Sequence, residues 1–124
     1  MENLLYFCRT MEEKPRFNVI YLKQAQKYLY LLDEKTRIKI FENIDIARFT
    51  LNPELLKKLT GEIWEFRTLH NGIKYRLLAF WDKRDNTNTL VVATHGFIKK
   101  ENKVPKTEIN KALEIRRNYF TENK

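Results

Sequence analysis

The sequence predicts an α+β fold: an antiparallel sheet packed against an N-terminal helical hairpin and a C-terminal helix. In the first half of the chain and at its C-terminal end, apolar residues recur at three- and four-residue steps. Between these regions apolar residues alternate with polar ones, and such segregation of helices and strands is typical of α+β domains. Because the 124 residues contain no linker rich in Gly, Ser or Pro, we expect a single domain spanning residues 1–124.

The first half predicts one strand and two helices. Residues 3–10 are apolar and aromatic enough to form a first strand. Asn18 is a candidate N-cap for a helix that ends near Leu32, and Asp33 is a candidate N-cap for a second helix. Pro53 ends the second helix, because the residue before a proline avoids helical angles. Two helices joined so closely should form an antiparallel hairpin.

The second half predicts three consecutive strands and a final helix. Ile63–Arg67 and Ile73–Trp81 alternate as half-buried strands do, and Asn71-Gly72 between them is a hairpin turn signal. Leu90–Ile98 forms the third strand, and Thr107 is expected to cap the last helix. One side of that helix should carry its apolar residues, which are Ile109, Ala112, Leu113 and Phe120.

The composition favours a polyanionic partner. A net charge of +8 and a pI near 9.6 predict attraction to nucleic acid, to an anionic membrane face or to an acidic protein. The longest apolar run, Leu77–Trp81, is far shorter than a membrane span, so we expect no membrane partner. Glu2 stands where a secretory signal needs positive charge, and the single cysteine, Cys8, forms no intrachain disulfide. We therefore expect a cytoplasmic protein.

Several charged side chains fall on the predicted strands or directly after them. They are Glu65, Arg67, Arg76, His95, Lys99 and Lys100. If the strands pair across the Asn71-Gly72 turn, these groups could share one face of the sheet. Arginine binds phosphate through two parallel hydrogen bonds, and fixed cations stabilise the charge that builds on phosphorus during transfer. Histidine and glutamate carry protons near neutral pH, so the pattern favours a phosphodiester substrate.

Simpler interpretations stand beside this one. Glu65 and Arg67 could be a cross-strand ion pair that supports the sheet, and His95 could be a buried histidine with a backbone partner. Trp64, Phe80 and Trp81 fit the core better than a base-stacking platform. The lysines after the last strand could simply solvate a loop; these are Lys99, Lys100, Lys103 and Lys106.

Other chemistries fit the sequence less well. Two histidines and one cysteine give no zinc-ligand spacing, and three glycines exclude a glycine-rich phosphate loop. The chain contains no serine, so a serine nucleophile is impossible. If this protein is an enzyme, we expect it to work without a metal or another cofactor.

Four segments occur in a familiar order with short gaps. They are Glu62–Arg67 (EIWEFR), Lys74–Leu78 (KYRLL), His95–Lys100 (HGFIKK) and Pro105–Ala112 (PKTEINKA). Together they resemble the phage-derived, HigB-like branch of the RelE/ParE toxin superfamily of type II toxin–antitoxin systems. The resemblance runs from about Phe17 to Tyr119 and covers the helical hairpin as well.

The resemblance implies a microbial-ribonuclease-like fold and a metal-free endoribonuclease. Such toxins cleave messenger RNA in the ribosomal A site, where a ribose 2′-hydroxyl attacks the adjacent phosphate. A cognate DNA-binding antitoxin of the helix-turn-helix type inhibits them. On this view the toxin stops translation until its antitoxin neutralises it.

The resemblance also assigns roles to residues. Arg76 matches the arginine that contacts the scissile phosphate, and Lys99 and Lys100 match the basic pair after the last strand. His95 is the first candidate for proton transfer and Glu65 the second. Further substrate contacts are expected from Arg67, Lys74, Lys103 and Lys106.

Some positions depart from the pattern, and two other functions stay open. RelE-branch relatives carry lysines where this chain has Ile63 and Glu65, so their general base cannot be transferred. Glu101 and Val104 also stand where threonines are expected. A ParE-like toxin would share the fold and inhibit DNA gyrase by binding. A non-catalytic module would use the basic face only to dock an acidic antitoxin or nucleic acid.

Overall fold

The computed structural model describes residues 14–50, 52–84 and 90–122, and over these ranges it confirms the α+β class. The described residues form three helices and one five-stranded mixed sheet. In chain order the elements are β1 (Asn18–Tyr21), α1 (Lys23–Leu31), α2 (Glu34–Phe49), β2 (Leu56–Thr60), β3 (Ile63–His70), β4 (Ile73–Asp82), β5 (Leu90–Lys99) and α3 (Lys106–Glu122).

The sheet has the order β1-β5-β4-β3-β2. β2, β3, β4 and β5 pair antiparallel, but β1 pairs parallel with β5, so the prediction of a purely antiparallel sheet is wrong. Parallel neighbours need a long connection between them. Here the whole chain from α1 to β4 lies between β1 and β5, which brings the first described strand beside the last.

Asn18 is the first residue of β1, so its predicted role as a helix N-cap is wrong. The residues after it, Val19, Ile20 and Tyr21, are β-branched or aromatic and suit a strand better than a first helical turn. α1 begins instead at Lys23, with no side-chain hydrogen bond at its N-cap. The strand expected at residues 3–10 lies outside the described residues.

Asp33 caps α2 as predicted. Its carboxylate accepts hydrogen bonds from the Thr36 backbone N–H at 3.3 Å and from the Thr36 hydroxyl at 2.6 Å. The two helices lie on the same sheet face, where buried residues of both share one apolar cluster. Each packs more extensively against the sheet than against the other, α1 over β5 and α2 over β3. The hairpin is therefore held mainly through the sheet.

The predicted strands of the second half are confirmed. Asn71 and Gly72 both have positive φ, at 52° and 76°, as a tight hairpin turn requires. A strand that the sequence pattern does not predict is β2, an edge strand paired with β3; the turn between them contains Gly61, whose φ is 53°. Two exposed lysines and a bulge interrupt its alternation, which is why the pattern was weak.

Helices cover both faces of the sheet, so the expectation of helices on one apolar face is wrong. α1 and α2 cover one face, and α3 packs on the other against Ile63, Leu78 and Phe80. α3 begins at Lys106, which places Thr107 inside its first turn instead of at the cap. Ala112 is fully buried, but Leu113 is 37% exposed and does not belong to the inward side.

Part of the second face stays free of α3 and carries the charged side chains. In the parts of the chain that the structure describes, no helix is both long and apolar enough to cross a membrane.

Candidate functional site

The strand register brings the predicted cations together. Arg67 of β3 lies directly opposite Arg76 of β4, and Lys74 of β4 lies directly opposite Lys99 of β5. Because side chains alternate along a strand, all four lie on the sheet face that α3 covers only in part. We call these four residues the cationic face. Glu65 lies on the same face, two positions before Arg67.

A buried ion pair forms the base of this face. Arg76 Nε lies 2.8 Å from Glu65 Oε1, and the two residues are only 4% and 5% exposed. Arg76 Nη1 also donates to the Tyr75 carbonyl at 3.1 Å. Burial lowers the pKa of Arg76, and the Glu65 carboxylate opposes this shift. The cross-strand pair considered for Glu65 and Arg67 is wrong, because the partner of Glu65 is Arg76.

Arg67 takes a different position beside this pair. Its Nη1 donates to the Pro53 carbonyl at 3.4 Å, and its backbone N–H donates to the Leu55 carbonyl at 2.8 Å. The segment before β2 thus holds Arg67 at the margin of the sheet. Its charge lies close enough to Arg76 to contribute to the lowered pKa of that guanidinium.

The surroundings of Lys99 disfavour its positively charged form. Burial lowers its pKa below the ordinary value of 10.5, and the positive charges of Arg76, Lys74 and Arg67 lower it further. Only Glu65 acts in the opposite direction. Four cations held beside one carboxylate repel one another, and an anion bound among them would relieve that repulsion.

Two surface depressions open onto the cationic face. One has a volume of about 360 Å³, and its lining includes Arg67, Lys74 and Arg76. The other has a volume of about 430 Å³, and Lys74, Lys99 and Lys100 contribute to it. Arg76 is therefore buried yet reachable from the first depression, and Lys74 lies between the two.

His95 does not reach the surface. It is 2% exposed, with Nε2 3.0 Å from Glu108 Oε1 and Nδ1 3.1 Å from the Thr94 hydroxyl. Burial lowers the pKa of His95 more than the hydrogen bond to Glu108 raises it, which favours the neutral ring. A neutral imidazole has one N–H; on Nε2 it donates to the Glu108 carboxylate, while the Thr94 hydroxyl beside Nδ1 donates its own hydrogen to the Leu78 carbonyl at 3.1 Å.

His95 therefore matches the buried-histidine alternative, with side chains in place of a backbone partner. Neither partner, Thr94 or Glu108, is predicted by the strand and helix patterns. Glu108 stands within the segment Pro105–Ala112, so that motif contained the signal. The hydrogen bond between His95 and Glu108 ties the first turn of α3 to β5 beside the cationic face.

The remaining predicted lysines lie farther out. Lys100 is exposed and lines the second depression directly after β5. Lys103 lies in the following loop and Lys106 begins α3; both are exposed and line neither depression. Among the described residues, no group of three or more His, Cys, Asp or Glu side chains is placed to hold a metal ion.

Comparisons with known proteins give one family. No curated protein matches the sequence. The family described as "Phage derived protein Gp49-like (DUF891)" matches residues 27–117, which is most of the chain and includes the whole cationic face. This chain therefore belongs to the phage-derived, Gp49-like protein family.

Proposed function

We propose that this protein is the toxin of a type II toxin–antitoxin pair and that it acts as a metal-free endoribonuclease. The observation that carries the proposal is the cationic face, where four positive side chains converge on one uncovered part of the sheet. The chain's membership of a phage-derived family and its HigB-like motifs support a toxin role. We also propose that the fold is of the HigB-like, RelE/ParE-like kind and that residues 1–124 form a single domain.

The cationic face suits a phosphodiester. The Arg67 and Arg76 guanidiniums present planar donors to phosphate oxygens, and Lys99 adds a point charge. These groups are held in place before substrate arrives, so they can stabilise the extra negative charge of the pentacoordinate phosphorus without reorganising. Lys74, Lys100, Lys103 and Lys106 would attract the flanking phosphates.

The proposed reaction is internal transesterification. The ribose 2′-oxygen forms a bond to phosphorus, the bond from phosphorus to the 5′-oxygen breaks, and a 2′,3′-cyclic phosphate results. The 2′-hydroxyl proton goes to a base, for which Glu65 is the carboxylate on this face. Lys99 supplies a proton to the departing 5′-oxygen, because its lowered pKa makes it a better acid than an ordinary lysine.

His95 is a positioning residue in this proposal. Its ring is buried between Thr94 and Glu108, so it holds α3 against the sheet beside the site. The sequence-based role of His95 as the first proton carrier stays a prediction, but its burial favours Lys99 for direct contact with RNA.

The proposed partners follow from the same function. An unopposed nuclease would stop its host, so we infer a cognate helix-turn-helix antitoxin with an acidic surface that covers the cationic face. The target is messenger RNA in the ribosomal A site, which makes the proposed location cytoplasmic.

Lys99→Gln tests the nuclease. Lys99 has no ion-pair partner among the described residues, so its loss should leave the fold intact and reduce cleavage about 10²- to 10⁴-fold, as for a lost general acid. The assay maps cleavage of a translated message by primer extension. Lys35→Gln, at an exposed position on α2, is the matched control and should cleave normally.

A second candidate, a toxin that acts by binding alone, is favoured by one observation. Both predicted proton carriers, Glu65 and His95, are almost completely buried and already engaged by protein groups. Growth arrest without RNA cleavage would support binding, and accompanying DNA damage would indicate a ParE-like target. Normal growth on unopposed expression would leave only a docking module.

A further inference from the structure

A further pocket lies beside the sheet face opposite to the one that carries the cationic face. It has a volume of about 630 Å³ and sits beside the face that α1 and α2 cover. Its apolar wall consists of Phe17, Leu56, Trp64 and Trp81, with Pro53 beside them. We call it the tryptophan pocket. The proposed nuclease reaction does not use it.

The aromatic side chains form a contiguous, partly open wall. The Trp64 and Trp81 rings meet edge to face, with centroids 5.7 Å apart at 90°. Phe17 supports Trp81 in the same way, at 5.1 Å and 82°. Both tryptophans are only half-buried, so part of each indole is accessible from the pocket. Aromatic faces of this kind stack on nucleobases whatever the base identity.

The rim of the tryptophan pocket is positively charged. Four exposed cations line it: Arg16, Lys57, Lys58 and Lys83. None of the described residues that line it is an aspartate or a glutamate. An apolar aromatic wall with a purely cationic rim complements a group that is flat and apolar at one end and anionic at the other.

We propose that the tryptophan pocket binds one nucleotide of a single-stranded nucleic acid, with the base against the indoles and the phosphate against the rim lysines. The pocket volume lies within the range of pockets that enclose whole small molecules, so a base with its sugar and phosphate fits. This combination of stacking surface and cationic groove is how proteins bind single strands without sequence preference.

The pocket is placed to extend the cationic face. Along β4, Trp81 lies five residues after Arg76 and on the opposite sheet face, which corresponds to roughly 17 Å of strand. Lys57 lies on the edge strand β2, opposite Glu65 in register, and also lines the pocket. A strand leaving the cationic face can therefore cross the β2 edge into the pocket; that the ligand is RNA rests on the proposed function.

The test uses intrinsic fluorescence, because the only two tryptophans of the chain both line this pocket. A short oligoadenylate RNA with non-cleavable 2′-O-methyl riboses is titrated into the full-length protein. Stacking on the indoles should quench the emission in a saturable manner. The Lys58→Ala/Lys83→Ala variant should weaken this binding about tenfold and make it less sensitive to salt.

Lys27→Ala is the control, since Lys27 is an exposed lysine on α1 that does not line the pocket, and it should bind as the parent does. The DNA oligomer of the same sequence should also quench, with its relative affinity reporting any preference for RNA. Absence of quenching, or equal quenching by a polyglutamate peptide, would overturn the proposal. Cleavage of a translated message by the parent protein is assayed separately, so quenching without cleavage contradicts the nuclease alone, and cleavage without quenching contradicts the pocket alone.

Discussion

At the residue scale, the ion pair between Arg76 and Glu65 determines how the site can be probed. The sequence identified both residues as candidates but not that they would be each other's partner inside the sheet. Side-chain alternation gives the face of each residue, whereas the partner depends on rotamers and on the exact strand register. For the same reason the alternative in which Arg67 pairs with Glu65 is wrong, and Arg67 contacts the Pro53 carbonyl.

Arg76→Ala should unfold or severely destabilise the protein instead of cleanly removing activity. The change leaves the Glu65 charge buried without its partner, which costs about 3–5 kcal/mol in comparable cases. The sequence does not predict this loss of stability, because burial of an arginine is not visible in a strand pattern. The measurement is the free energy of unfolding in urea.

The double variant Arg76→Met/Glu65→Leu is the matched comparison. Replacing both charges with apolar side chains of similar size removes the desolvation cost, so most of the lost stability should return. A double variant as unstable as Arg76→Ala would contradict the role given to the uncompensated carboxylate.

At the element scale, the ends of elements were harder to predict than their types. Asp33 caps α2 as expected, because its carboxylate accepts a hydrogen bond from a backbone N–H of the first turn, which has no partner within the helix. The prediction that Asn18 caps a helix is wrong, because Asn18 is instead the first residue of the strand β1. Gly96 in the HGF segment is needed for packing: a Cβ there would overlap the Tyr28 ring of α1, a contact that only the assembled layers reveal.

The attachment of α3 to β5 should depend on pH through His95. Its folded-state pKa lies below the unfolded value of about 6.5, so the unfolded chain binds more protons as the pH falls through that value. Stability is therefore complete above about pH 7 and decreases toward pH 5. Urea unfolding at both pH values measures the difference.

His95→Gln keeps a donor toward Glu108 but does not titrate, so it should lose this part of the pH dependence. His70→Gln, on the β3–β4 hairpin, should retain it. An identical loss of stability on acidification in His95→Gln and in the parent protein would show that another group is responsible.

At the scale of the whole molecule, the net charge and the fold class were predictable from the sequence. The arrangement of the helices on the two faces of the sheet was not. Period-two patterns placed Arg67 and Arg76 on neighbouring strands and Lys99 directly after the next strand, and the strand register brings all three to one face. The parallel β1–β5 pair and the split of helices between both faces depend on contacts far apart in sequence, which local patterns do not contain. Because α3 covers only part of its sheet face, the cations stay accessible.

The central claim, that the cationic face receives the RNA phosphate, is tested most directly by the titration of Lys99. NMR of the isotopically labelled lysine side chains follows its pKa in the free protein and with a non-cleavable 2′-O-methyl RNA bound. We predict a pKa below the ordinary 10.5 in the free protein, because burial and Arg76 disfavour the charged form, and an upward shift when phosphate neutralises its neighbours. A Lys99 pKa that stays unchanged while the RNA is demonstrably bound would contradict this claim.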